Sequence, residues 1–172
     1  MSLELIRADL TKLSVDAVVN AANSRLAPGG GVCGAIFAAA GYEALDRACR
    51  GIGGCETGHA VITDGFQLPA NYIIHTVGPI WRGGGCGEGQ LLRDCYRHSL
   101  ELAKIKGCES IAFPLISSGI YGYPKEEALK VAVSTIQDYL KEHEMKVYLT
   151  VFDREIVAMA SKLYPQLCAE GL

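Results

Sequence analysis

No run in this 172-residue chain approaches the ~18 consecutive apolar residues of a membrane span. The start Met1-Ser2-Leu3-Glu4 carries neither a basic segment nor the apolar core of an export signal. A soluble, cytoplasmic protein without a membrane partner is expected. Positive charge is scarce too: 16 Lys and Arg face 19 Asp and Glu, a formal net charge of −3, with pI near 5.8. That balance offers no bulk attraction for a polyanion, and 8% aromatic residues supply no basic, aromatic platform for unpaired bases. Nucleic acid is therefore not the expected partner. The seven cysteines (Cys33, Cys49, Cys55, Cys86, Cys95, Cys108 and Cys168) are odd in number and form no C-x-x-C pair. Reduced thiols account for them more simply than a disulfide framework. Cys86, Cys95 and His98 match no common zinc spacing, and neither metal nor cofactor is expected. Repeats, low-complexity tracts and interdomain linkers are also missing, so the whole of 1–172 reads as one domain and a monomer.

What is present is an alternation of strand-like and helix-like runs, with 49% hydrophobic residues to fill a layered core. Strands are expected over 3–7, 15–19, 58–65, 72–77, 111–116 and 146–152, where β-branched or aromatic runs are bounded by Gly, Pro or Asn. Helices are expected over 35–48, 90–106, 124–143 and 155–164; Gly51, Gly53 and Gly54 stop the first, and Gly107 caps the second. Strands separated by helices predict an α/β sandwich with a mostly parallel sheet, whose ligands bind at strand C-termini.

The densest signal lies at one such end. Asn20-Ala-Ala-Asn23 closes the second strand, and Pro28-Gly29-Gly30-Gly31-Val32-Cys33-Gly34 leads into the first helix. Three successive glycines allow positive φ and close ligand approach, while the first N–H groups of a helix face an anion. A second loop, Pro114-Leu115-Ile116-Ser117-Ser118-Gly119-Ile120-Tyr121-Gly122, mixes hydroxyls and glycines after another strand and can form a diphosphate nest. With no excess of lysine, phosphate recognition is assigned to backbone N–H groups. By the residues alone, Asp9 reads as a cap before Leu10-Thr11, Phe152 as core, His75 as a satisfied core histidine, and Asn20 and Asn23 as partners of local backbone. Tyr121 reads equally well as a turn aromatic or as a groove-closing one.

These blocks, with Ile6-Arg7-Ala8-Asp9-Leu10-Thr11, His75-Thr76-Val77-Gly78-Pro79 and Val151-Phe152-Asp153, resemble a macrodomain, the ADP-ribose-recognising fold, in order and over nearly the whole chain. The resemblance implies a three-layer α/β/α sandwich with a mixed, mostly parallel central sheet. It places Asp9 and Leu10 at the adenine, Phe152 against its face, and the diphosphate between two loops. One loop is Gly29, Gly30, Gly31, Val32 and Cys33; the other is Ser117, Ser118, Gly119, Ile120 and Tyr121. Asn20 then supports the first loop and Asn23 meets the distal ribose. For catalysis it gives Asn23, Gly30 and Tyr121 positioning roles, with Cys33 lining the pocket.

The implied ligand is ADP-ribose or an ADP-ribosylated protein or small-molecule ester. The implied activity is hydrolysis of ADP-ribosyl esters, either of modified acidic side chains or of O-acetyl-ADP-ribose. A non-catalytic ADP-ribose reader is the alternative. Hydrolytic members usually carry Asp and, one helical turn later, His where this chain has Cys33 and Phe37.

Overall fold

The computed structural model describes residues 2–172. Six strands form one sheet: β1 (Ser2–Ile6), β2 (Ala17–Ala21), β3 (Ala60–Asp64), β4 (Tyr72–Thr76), β5 (Ser110–Phe113) and β6 (Lys146–Thr150). Five helices surround them: α1 (Gly31–Ala40), α2 (Tyr42–Ile52), α3 (Glu88–Ile105), α4 (Lys125–Leu140) and α5 (Arg154–Leu163). The strand order is β1-β6-β5-β2-β4-β3. Every pairing is parallel except that of edge strand β3 with β4. The expected mixed, mostly parallel sandwich is what forms.

Strand period sorts the core into two layers. Ala17, Val19, Ile74, Ile111, Phe113, Val147 and Leu149 pack with α3 and α4 side chains such as Leu92, Leu100, Leu129 and Ile136. The alternate residues Val18, Ile73 and Ala112 point the other way, toward Ile36, Phe37, Leu45 and Cys49 of α1 and α2.

The expected helix over 35–48 is two helices. Gly41 takes φ 105° between Ala40 and Tyr42, a conformation that breaks the i→i+4 ladder. The first of the two also starts earlier than Ala35, at Gly31, with Gly30 as its N-cap. Gly51 lies inside α2, and it is Gly53, in the left-handed region at φ 93°, that ends it.

From β2 the chain builds outward through β4 and β3, whereas β5, β6 and β1 lie on β2's other side. The order therefore reverses between β2 and β5, and the loops leaving their C-terminal ends diverge. A crevice opens there by topology.

Candidate functional site

The first wall of that crevice is the segment from Asn23 to α1. Asn23 closes a small ring on Ala27: its Oδ1 accepts from Ala27 N at 3.0 Å and its Nδ2 donates to Ala27 O at 2.9 Å. Gly31 then takes φ 56°, and the first helical bond runs from Gly34 N to Gly30 O at 3.2 Å. Gly34 must be glycine, since a Cβ there would stand 2.5 Å from Gly29 O. Gly30 caps α1 without any side-chain bond. The N–H groups of Gly31, Val32 and Cys33 precede the first i→i+4 donor, so they have no intrahelical acceptor. Helix dipole and free donors together make this turn attractive to an anion.

The second wall runs from Pro114 to Tyr121. Ser117 sits in the left-handed region at φ 66°, and its carbonyl accepts from Tyr123 N at 3.0 Å. Gly78 presses against it so closely that an added Cβ would collide with Ser117 Oγ and with Ile116 Cγ2. The loop is also held from behind, where Trp81 N donates to Tyr121 O at 2.8 Å and the Trp81 and Tyr123 rings meet at 4.7 Å.

At the end of β6, Phe152 is 59% exposed with the Arg7 guanidinium 5.8 Å from its centroid. The next residue, Asp153, caps α5 through Glu155 N at 2.8 Å and is paired with Lys125 Nζ at 2.8 Å. Lys125 also reaches Glu155 at 3.2 Å, so its ammonium is raised above the usual lysine range by those two bonds, the Asp153 one first.

These parts enclose a cleft of about 610 Å³ lined by Asn23, Gly29, Gly30, Gly31, Val32, Cys33, Ser117, Ser118, Gly119, Ile120, Tyr121 and Phe152. All were expected from the sequence. Val32 and Ile120, on opposite walls, are 40% and 99% exposed. Lining residues outside the expected site include Ala21, Ala22, Gly78, Lys125, Thr150 and Ile156; a glycine in His75-Thr76-Val77-Gly78-Pro79 and a lysine opening a helix were signals for two of them.

Three expected residues lie off the cleft wall. Asp9 accepts from Thr11 N at 2.9 Å and Thr11 Oγ1 at 2.7 Å, both at Oδ1, capping the short 3-10 turn Leu10–Lys12. Those bonds, the side-chain one first, hold its carboxyl below the usual range. Leu10 is buried in the α1/α2 layer. Asn20 is 1% exposed and contacts Cys33 and His75 instead.

The described residues contain no group of three or more His, Cys, Asp or Glu placed to hold a metal. Nor does any described helix have the length and apolarity to cross a membrane. A second cavity of about 840 Å³ between α3 and α4 is larger than the cleft, but Arg93, Arg97, Glu101, Asp138 and Glu142 give it the mixed charge of an ordinary helical surface.

The sequence model of the Macro domain family matches residues 19–132. The chain belongs to the Macro domain family. An Escherichia fergusonii protein named O-acetyl-ADP-ribose deacetylase is 47% identical over 174 residues, covering 98% of this chain and 96% of its own length. Among solved structures, the Oceanobacillus iheyensis macrodomain with ADP is 43% identical at TM-score 0.90, the match covering 96% of this chain and 90% of that one. The Trypanosoma brucei macrodomain in complex with ADP-ribose is 41% identical at TM-score 0.83, covering 93% and 68%.

The polarity of this macrodomain's cleft resides mainly in its backbone. Its charged lining residues, Lys125 and Asp153, are already paired to each other. The remaining polar capacity is chiefly main-chain N–H and carbonyl, with the Ser118 hydroxyl spent on Leu115 O at 2.8 Å. Such a surface suits an elongated anion with one aromatic end.

Proposed function

We propose that the cleft binds ADP-ribose and hydrolyses ADP-ribosyl esters. The substrate is an ADP-ribosylated acidic side chain, releasing ADP-ribose, or O-acetyl-ADP-ribose, releasing acetate. The observation that carries the reading is the uncapped first turn of α1 facing a glycine-rich loop, with exposed Phe152 at one end. The diphosphate takes N–H donors from both walls, and adenine lies on Phe152 with its amino group toward the Asp9 carboxylate. Oδ1 of that carboxylate is occupied by Thr11, which leaves Oδ2 for the base.

The distal ribose then reaches the Asn23 and Tyr121 end of the cleft. Water is the nucleophile. For a modified carboxylate, the water oxygen bonds to the anomeric carbon, the carboxylate leaves with the bonding pair, and the water proton passes to ligand phosphate or solvent. Cys33 takes no part as nucleophile: its Sγ–H points at Ala27 O, 3.8 Å away. The likeness to relatives named O-acetyl-ADP-ribose deacetylase supports the hydrolytic reading.

Cys33 and Phe37 favour a second reading, a reader that holds ADP-ribose without cleaving it, because neither side chain is a carboxylate or an imidazole, the groups that serve as general bases toward water. One assay separates the two. Incubation with a mono-ADP-ribosylated carboxylate peptide and with O-acetyl-ADP-ribose should release ADP-ribose or acetate over time; binding of ADP-ribose with turnover of neither ester establishes the reader.

A further inference from the structure

The first turn of α1 has no cap on its cleft side, so whatever fixes it must act from beneath. Cys33 is the turn's buried anchor, 8% exposed. Its Sγ accepts from Asn20 Nδ2 at 3.7 Å and faces Ala27 O at 3.8 Å, the same carbonyl that Asn23 holds. The Asn20 amide in turn lies 3.1 Å from His75 Nδ1, and His75 Nε2 lies 3.0 Å from Thr63 Oγ1.

Strand register makes this possible: β2, β4 and β3 are neighbours, and Asn20 pairs with His75 while His75 pairs with Val61. The bonds also have one direction. Asn20 Nδ2 donates to Nδ1, so Nε2 carries the ring proton and donates to Thr63, whose hydroxyl donates to Asp64 O at 3.1 Å. Burial pushes the imidazole down to about 4, keeping Nδ1 an acceptor at neutral pH.

Asn20 Oδ1 is buried without a hydrogen-bond partner. The bonds of this amide that reach His75 and Cys33 are therefore both made by its nitrogen.

We infer that His75 is a positioning residue of the cleft: acting through Asn20, it orients Cys33 and thereby sets the first turn of α1 from a neighbouring strand on the same face of the sheet. The affinity arm of its test rests on the ADP-ribose reading; the thiol arm does not. His75→Phe keeps the ring volume and removes both nitrogens.

Iodoacetamide labelling, read by mass spectrometry, should accelerate about tenfold at Cys33 in this variant, the scale of one lost coupling. Cys49, buried in the same layer, serves as the internal control. Its rate should stay unchanged, and ADP-ribose affinity should fall about tenfold. Thr63→Val, which removes only the outer partner, should give a smaller rise confined to Cys33, and His75→Gln should restore much of the protection. Nitrogen-15 correlation spectra of the wild type should show the Nε2–H tautomer.

A joint rise at Cys33 and Cys49 would mean that His75 merely stabilises the fold, and unchanged labelling in both His75→Phe and Thr63→Val would sever the link. Wild-type protein that binds no ADP-ribose, together with selective acceleration at Cys33 in His75→Phe, would refute the ligand assignment while leaving the positioning role intact.

Discussion

Gly29-Gly30-Gly31 and Gly83-Gly84-Gly85 are the same triplet, each just ahead of a helix, and they end in opposite conditions. The second is filled. Glu88, the first residue of α3, turns back and accepts from Arg82 N at 2.9 Å, Gly84 N at 2.9 Å and Cys86 N at 2.7 Å. Those backbone donors, Arg82 first, depress its carboxyl to about 2. The first is open: α1 begins with glycine and valine, its first turn carries no acid, and its donors face the cleft. A glycine triplet before a helix thus holds a carboxylate in one case and, on the function proposed above, takes a ligand's phosphates in the other. Whether the chain supplies its own anion decides whether the site is structural or available to a ligand.

The largest effect should come from giving the open loop a carboxylate of its own. Val32 lies in the first turn of α1 and is 40% exposed in the cleft. Val32→Glu should let the acid occupy the uncapped donors, as Glu88 does, and repel a diphosphate. ADP-ribose affinity should drop at least ~100-fold, about 3 kcal/mol, while the melting temperature holds or rises. Retained affinity in calorimetry would place the phosphates elsewhere.

The reverse change empties the filled loop. Glu88→Gln puts an amide N–H₂ among main-chain donors, so residues 82–86 should loosen and the melting temperature should fall. Its pH signature is specific. A carboxyl ordinarily near 4.5 and held at about 2 in the fold stabilises fully above pH 4.5 and ceases to as pH falls from 4.5 through 2. Denaturant titrations should show that loss in the wild type and not in Glu88→Gln. The separate loss from His75, whose imidazole falls from 6.5 to about 4 on burial, should persist between pH 6.5 and 4 in both.

A third change tests the joint of the open loop. Gly34→Ala would drive a Cβ to 2.5 Å from Gly29 O. That is main chain and cannot swing aside, so we expect about 1–3 kcal/mol of destabilisation by denaturant melts, together with weaker ADP-ribose binding. Loss of stability without loss of affinity would show that the loop relaxes without moving its donors.

Only the open half of this contrast was legible in the residues, and the limit has physical causes. The first triplet announced itself because it joins an apolar strand to a helix of small residues, both local patterns. Asp9 read as a cap and caps the Leu10–Lys12 turn through Thr11. The second triplet passed unread because its meaning lies in a backward reach by Glu88, which no period of apolar residues encodes. The division at Gly41 was hidden by an alanine-rich stretch whose composition suits one helix as well as two. His75 was read as a satisfied core histidine, and it is satisfied; that Asn20 is what satisfies Nδ1 follows from strand register, a property of the sheet rather than of the segment.

The smallest expected effect completes the comparison at the filled loop. Gly89 follows its triplet as Gly34 follows the first, yet a Cβ on Gly89 would meet only Tyr123 OH at 3.7 Å and the Arg93 guanidinium at 3.8 Å and 3.9 Å, ordinary contact with side-chain ends. It lies within the first turn of α3, where alanine is favoured over glycine by roughly 0.5–1 kcal/mol because less backbone freedom is lost on folding. Gly89→Ala should therefore leave stability unchanged or raise it by up to about that amount, with ADP-ribose affinity unaffected. Paired denaturant melts of Gly34→Ala and Gly89→Ala should move in opposite directions. A matching loss in both would mean that the filled loop needs Gly89 as much as the open one needs Gly34, and the distinction between them would then rest on Glu88 alone.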